Sequence, residues 1–538
     1  MAFVRPVHEA ENRLARFNGE KAAILAEVER RVVEDNLHRA RRGGEASLEY
    51  VLNDVAFQEI RRLERSARSS ADKKRLGEWR DLARRLGGMT TEEKRRHLER
   101  LVEEYAGDVC GNFRPGVYRF ATRVLPAVLG GILSPRSLTD GSFGDPSGKI
   151  VVDGPLDELR EAADRGTLVV VPTHLSNMDS VVLGWSLYIA GLPPCTYGAG
   201  KNLFSNPFVS FFMHNLGAYR VDRRIGHALY KDVLKTYSQV LLERGYHQLF
   251  FPGGTRSRPG SVEKKVKLGL LSTALAAFQT NIAEAKPHGR IYIVPATINY
   301  AITLEAETLI ADFLAEEGKH RYIIEDDEFS RLGRIADFSR RVLAMESSLV
   351  IRYGAPLDPL GNRVDPEGES IDPRGHRVDP ATYVTGPDGK VEHDPQRDAE
   401  YTRALGEELV RAYRRLTVFM PTHMVARAIW ERLAAAAGTR DPFRLLRAGE
   451  GEAPVDGVRE DVARARAALV ARGDAGVLAE RYQTMRPGDV VDEALVMFRG
   501  YHTRPVVERV GERLIARDLR LLFYYQNRTA HIGTGVWS

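Results

Sequence analysis

His174 and Asp179 stand five residues apart, directly after the apolar run Val169-Val170-Val171-Pro172. A carboxylate that reaches the Nδ1–H of an imidazole fixes its tautomer and makes Nε2 a better base. Such a pair can take the proton of an attacking hydroxyl with no serine or cysteine nucleophile. Spacing alone carries little, because among 14 histidines about one such pair arises by chance. His227/Asp232 and His393/Asp398 repeat it. The first of these lies in a helical pattern, where five residues turn through about 500°. The second lies in the polar stretch EHDPQRD. Both read as surface pairs. His174 differs because an apolar strand would deliver it to the carboxyl edge of a sheet. From this segment alone, a helix-capping turn with a satisfied His is the other reading.

Phe250–Gly260 (FFPGGTRSRPG) holds a second candidate. Gly253 and Gly254 let backbone amides come close to an anion. Arg256 and Arg258, on either side of Ser257, suit a phosphate with bidentate geometry. The GxxxxGK[ST] spacing of a nucleotide loop is absent. In isolation the alternative is a basic surface loop. A third cluster, Gly217–Arg224 (GAYRVDRR), follows the apolar stretch Asn206–Leu216. Apolar surface beside an arginine set suits an amphiphilic lipid, and core packing is the competing reading for its phenylalanines.

These residues need elements to hold them. Gly166–Thr173, Gln248–Pro252 and Ile291–Tyr300 are short β-rich apolar runs, as in buried parallel strands. Between them Val181–Tyr188, Ala228–Glu243 and Leu268–Phe278 read as helices. This alternation predicts an α/β fold, a central mostly parallel sheet flanked by helices, with helical N- and C-terminal regions. The boundaries are a helical region 1–110, a catalytic α/β domain 111–345, a loop or lid excursion 346–399 and a helical region 400–538. In the N-terminal region, Lys21–Leu37 and Tyr50–Arg68 carry apolar residues at helical spacing. Its runs Lys73-Lys74-Arg75 and Lys94-Arg95-Arg96 read as solvated faces. In the excursion, Asp-Pro recurs at Asp358, Asp365, Asp372 and Asp379, with Gly361, Gly368 and Gly375 between. Pro and Gly in each unit exclude a coiled coil and favour serial turns, with Val364, Ile371 and Val378 as small anchors. Leu519–Asn527 reads as a packing segment.

The 538 residues are 43% hydrophobic and 28% charged, which permits a sizeable core and argues against global disorder. A net charge of +5, from 78 basic and 73 acidic residues, is no polybasic nucleic-acid signal. Two cysteines, Cys110 and Cys195, make neither a disulfide framework nor a cysteine-rich zinc site. Val124–Leu133 and Val181–Leu192 are short apolar segments broken by Gly or Pro, read as core or interfacial segments rather than spans. No signal-peptide pattern opens the chain. The expectation is a soluble or peripheral protein, cytoplasmic and attached to the inner face of the membrane.

In order and spacing, four blocks resemble the glycerolipid acyltransferase superfamily, which includes glycerol-3-phosphate and 1-acylglycerol-3-phosphate acyltransferases. They are His174-x4-Asp179, Gly217–Arg223, Phe251-Pro252-Gly253-Gly254-Thr255-Arg256-Ser257-Arg258 and Val294-Pro295-Ala296-Thr297-Ile298. The resemblance covers about 165–345. It implies His174 as general base and Asp179 as its orienter. It implies glycerol phosphate binding by Arg223, Gly254, Arg256 and Arg258. Arg220, Gly253, Thr255, Ser257 and Pro295 would line the substrate and acyl-donor pocket. Two departures stand out: Gly253 occupies the place of a common Glu, and Arg220 that of a usual apolar residue.

The implied reaction moves an acyl group from acyl-CoA or acyl-carrier protein to glycerol 3-phosphate, with no metal and no cofactor beyond the donor. Direct transfer in a ternary complex is expected, since neither cysteine sits as a nucleophile. The Pro-Thr-His-Leu-Ser opening and the Gly-Gly before the arginines favour sn-1 acylation of glycerol 3-phosphate. Acylation of lysophosphatidate is the alternative. A non-catalytic lipid-binding or scaffold protein of the same fold is a further one. The partners implied are these substrates and a membrane surface, and no nucleic acid.

Overall fold

The computed structural model describes residues 13–41, 47–66, 69–123, 150–201, 204, 207–317 and 349–537. Four helices come first: α1 (Phe17–Ala40), α2 (Leu48–Ser66), α3 (Ser70–Arg85) and α4 (Thr91–Val109). α1 buries Phe17, Ile24, Val28 and Val32, a stripe at three-to-four spacing. Ser69 and Thr90 open α3 and α4 with reciprocal capping boxes, which satisfy amides that the helix leaves unpaired. Within the basic runs, Arg75 pairs with Glu104, Lys94 Nζ lies 2.6 Å from Glu49, and Arg95 Nε 2.9 Å from Glu99. The apolar run 124–133 lies outside the described residues.

The α/β domain then runs β1 (Ile150–Asp153), α5 (Leu156–Arg165), β2 (Gly166–Pro172), α6 (Asp179–Ile189), β3 (Thr196–Gly200), α7 (Pro207–Asn215), β4 (Ala218–Val221), α8 (Ala228–Glu243), β5 (Gln248–Leu249), α9 (Leu268–Ala283), β6 (Arg290–Tyr300), α10 (Ala306–Glu317) and β7 (Leu349–Tyr353). The seven strands form one sheet in the order β1-β7-β6-β2-β5-β3-β4. From β6 to β4 all neighbours are parallel, and β7 runs antiparallel to β6. Every residue of β2 is buried, as a central strand covered on both faces requires. The first four helices share one core with α8, through Val28, Val102, Tyr230 and Tyr237. The N-terminal helices therefore pack as a wall of the sheet domain. His227 departs from the surface reading: it is 1% exposed and caps α8, its Nδ1 accepting the Tyr230 amide at 3.2 Å.

The Asp-Pro repeat folds into β8 (Arg363–Val364), β9 (Ser370–Ile371) and β10 (Arg377–Val378), a small antiparallel ladder. Gly361, Gly368 and Gly375 have φ of 92°, 88° and 86°, and each amide bonds back to the Asp carbonyl of its unit. That left-handed backbone is why glycine recurs. Arg165 and Arg290, at the amino ends of β2 and β6, bond to Pro366 and Gly368 of the repeat. The repeat thus sits at the edge opposite His174. Of the two readings, loop excursion or lid, anchoring at the amino ends of the strands places the repeat away from His174.

The C-terminal region holds α11 (Pro395–Leu416), α12 (Pro421–Ala436), α13 (Pro442–Leu446), α14 (Val455–Ala471), α15 (Glu480–Thr484), α16 (Pro487–Gly500) and α17 (Leu519–Gln526). It also contains a three-stranded antiparallel sheet that the helical reading omits: β11 (Gly451–Pro454), β12 (Val507–Val510) and β13 (Arg513–Ala516). Leu521, Leu522 and Tyr525 of α17 are buried in one core with Ile310 of α10 and Ile429 of α12.

Candidate active site

Parallel strands deliver their following loops to one edge. His174 follows β2, Arg223 follows β4 and Pro252–Arg258 follows β5, so three of the four sequence blocks converge there. His174 is clamped through its backbone and its ring. Its amide donates to Glu263 Oε1 at 2.9 Å, and its carbonyl accepts the Ser257 amide at 2.8 Å. The ring stacks on Phe251, with centroids 4.1 Å apart and planes 22° from parallel. Nδ1 lies 2.7 Å from Asp179 Oδ2. The same oxygen accepts the Leu175 and Ser176 amides at 2.7 and 3.0 Å, from the first position of α6. Asp179 is fully buried while the His174 side chain keeps 14% of its surface. With the tautomer set at Nδ1–H, Nε2 is the nitrogen left to accept a proton.

A second carboxylate ties the two loops together. Glu305, just beyond β6, accepts from the Ser176 hydroxyl at 2.9 Å and the Asn177 amide at 2.8 Å. Its Oε1 pairs with Arg256 Nη1 at 3.5 Å. Burial pushes the Glu305 carboxyl above its usual range, against those hydrogen bonds and the Arg256 charge. Glu263 is likewise pushed up by burial, with Arg528 and the His174 amide opposing.

Arg223 opens to solvent on one side and is walled by protein on the other. Burial first, and the charge of Arg256 second, press its guanidinium below its ordinary value. Two guanidinium groups from different loops, close enough for each to feel the other's charge, suit an anion. Arg258 pairs with Glu316 of α10. Gly254 has φ of 76° and spends its amide on the Phe251 carbonyl at 3.0 Å. The expectation of a free glycine amide for phosphate is therefore corrected at Gly254. The chain and ammonium of Lys267 lie across that glycine, 2.6 Å from where a Cβ would stand, and add a cation that the motif reading missed.

The pocket assignments divide. Thr255 is exposed. Ser257 uses its amide on His174 and its hydroxyl on the Ser261 carbonyl at 2.7 Å, so both donors serve the loop. Arg220 is held over the Phe204 ring at 5.1 Å and near Asp108 at 3.5 Å, on the edge strand β4. Pro295 is buried opposite Val171, inside the sheet, where its carbonyl accepts the Gly354 amide. Neither Arg220 nor Pro295 joins the His174 cluster, because strand position puts one at the sheet margin and the other in its interior. Among the described residues no group of three His, Cys, Asp or Glu side chains lies close enough to hold a metal ion.

Glu263, Glu305, Tyr300, Lys267 and Arg528 were not singled out from the sequence. Glu305 carried a usable signal, an acid placed just after the strand Ile291–Tyr300. Arg528 carried none. It follows α17, is 1% exposed, and its Nη2 bonds to the Ile298 carbonyl and Asn299 Oδ1 at 3.1 and 3.0 Å. Beside it Asn527 Nδ2 donates to the Pro259 carbonyl at 2.9 Å, so the C-terminal region braces the arginine loop.

Residues 156–299 match the family model described as Acyltransferase. The glycerol-3-phosphate acyltransferase of Actinobacillus pleuropneumoniae serotype 5b is 30% identical over 231 residues, 43% of this chain and 25% of that one. That of Haemophilus ducreyi is 31% identical over 216 residues, 40% of this chain and 23% of that one. The chain spans about a quarter of the length of these curated relatives. The crystal structure of the 1-acyl-sn-glycerophosphate acyltransferase of Thermotoga maritima aligns with a TM-score of 0.24 and 16% identity, over 55% of this chain and 92% of that one. The match of residues 156–299 to the Acyltransferase model agrees with the resemblance read from the four blocks.

Proposed function

We propose that this chain transfers a fatty acyl group from a thioester donor, acyl-CoA or acyl-carrier protein, to the sn-1 hydroxyl of glycerol 3-phosphate. One juxtaposition carries the reading. The Asp179-oriented His174 and the arginines Arg223 and Arg256 come from loops at one sheet edge, where the Ser257 amide ties the arginine loop to the His174 carbonyl. The names of the relatives favour glycerol 3-phosphate as acceptor.

The arginines neutralise the phosphate dianion and hold the acceptor. Nε2 of His174 takes the proton of its hydroxyl as the oxygen attacks the thioester carbonyl. The tetrahedral intermediate collapses by breaking the C–S bond, and the imidazolium returns its proton to the thiolate. The new ester and the free thiol then leave, and His174 is neutral again. Asp179 stabilises the imidazolium in between.

A lipid product calls for a membrane surface, and exposed aromatics offer one. Phe120 and Phe211 are 53% and 49% exposed, and Phe120 stacks with Phe212 at 6.3 Å. This supports peripheral contact with a membrane surface. Purified protein with labelled acyl-CoA or acyl-carrier protein, and with glycerol 3-phosphate or its 1-acyl derivative, tests the proposal. Turnover with glycerol 3-phosphate is expected. Turnover only with the 1-acyl acceptor reassigns the acceptor, and no turnover with either supports a binding or scaffold role.

A further inference from the structure

The third block lacks a side chain at Gly253, yet no turn geometry demands glycine there, since its φ is not in the left-handed region. What lies beside that position is Glu263. A Cβ at position 253 would stand 3.4 Å from Glu263 Cγ and 3.5 Å from its Oε1. The same Oε1 accepts the His174 amide at 2.9 Å. Oε2 is buried with no partner among the described residues, as are Nε and Nη1 of Arg528. A carboxylate carried by residue 253 would therefore start against a buried carboxylate already in place, and two such anions side by side are costly.

We propose that Glu263 is the positioning residue of the acyl-transfer centre, supplying from downstream the carboxylate that position 253 lacks. It fixes the His174 backbone, so that the ring can be held between Asp179 and Phe251 with Nε2 presented to the acceptor hydroxyl. Gly253 is the accommodating half of the arrangement. This rests on the reading of His174 as the general base.

The test uses the full chain with glycerol 3-phosphate and whichever donor supports turnover, with thermal melts of each variant. Glu263→Ala is expected to lower kcat about 100-fold while KM for glycerol 3-phosphate moves less than about threefold. Glu263→Gln keeps the shape but not the charge and should lower kcat about fivefold. Gly253→Glu alone should lower kcat about tenfold, and adding it to Glu263→Ala should raise kcat about tenfold over Glu263→Ala. A packing role alone would not give that reciprocal rescue.

A Glu263→Ala kcat within about threefold of wild type overturns the proposal, as does a loss confined to KM or a double variant no better than Glu263→Ala. If Glu263→Ala or the double variant melts early, Glu263→Gln decides, and a kcat within about twofold of wild type overturns it. Wild-type protein without turnover, or an active His174→Ala, overturns the general-base reading and this proposal with it. An inactive His174→Ala beside a normal Glu263→Ala overturns this proposal alone.

Discussion

The Tyr300 hydroxyl, at the end of β6, donates to Asp179 Oδ1 at 2.8 Å. The other oxygen of Asp179 holds His174 and two amides, so the fully buried carboxylate is bonded through both oxygens. Burial and the Asp179 charge keep the phenol far from ionising, and it remains a donor. Tyr300→Phe removes one charge-assisted bond and lets the carboxylate rotate. We expect kcat to fall about tenfold with KM little changed, measured by steady-state kinetics. Asp179→Asn, which also disturbs the tautomer, should cost about 10³ or more.

His174→Ala removes the base itself. We expect kcat/KM to fall by at least about 10³ while the melting temperature changes by only a few degrees, since the ring is part-exposed. Near-normal turnover in a well-folded variant would remove the assignment.

The arginines separate by what each touches. Arg256→Ala opens the anion pair and releases Glu305 from its counter-charge. The expected result is a rise in KM for glycerol 3-phosphate of about 10- to 100-fold, with a smaller effect on the donor. Arg258→Ala, which loses only a surface pair to Glu316, should change KM less than about threefold. Equal losses in both would place Arg258 back in the anion site. Arg256→Lys should not restore the wild-type KM, because an ammonium has no planar fork.

The sheet and its edge were legible because β2 and β6 are dominated by apolar residues that lie buried almost end to end, as strands in the middle of a covered sheet do. The short strands Thr196–Gly200 and Ala218–Val221 were not, since glycine and arginine break their patterns at the sheet margin. His174, Asp179, Arg223 and Arg256 were legible because each follows a strand. Glu263 and Arg528 were not. Local pattern does not say where a loop returns, or that the C-terminal region closes on β6. Pro295 was misplaced for a related reason: block order says which strand a residue belongs to, not how deep in the sheet it lies.

Buried histidines make the protein sensitive to acid well before its carboxylates titrate. His247 and His423 are each pushed down to about 3 by burial, and His502 and His531 to about 4. Two of them must be neutral to do their work. His247 Nδ1 accepts the Leu168 amide at 2.9 Å, at the start of β2, and His423 Nδ1 accepts the Met420 amide at 3.1 Å. Unfolded, these rings bind a proton near pH 6.5, whereas folded they do not until about pH 3–4. Between those values the unfolded chain holds more protons, so stability is fully present above about pH 6.5 and is lost as the pH falls. The loss is about 1.4 kcal/mol per pH unit for each histidine that stays neutral. Denaturant midpoints taken from pH 7.5 to pH 5 should fall continuously. In His423→Gln the slope should be shallower by about one proton, whatever that variant does to stability at pH 7.5. An unchanged slope would mean that His423 is protonated in the folded protein and that the Met420 amide has another acceptor.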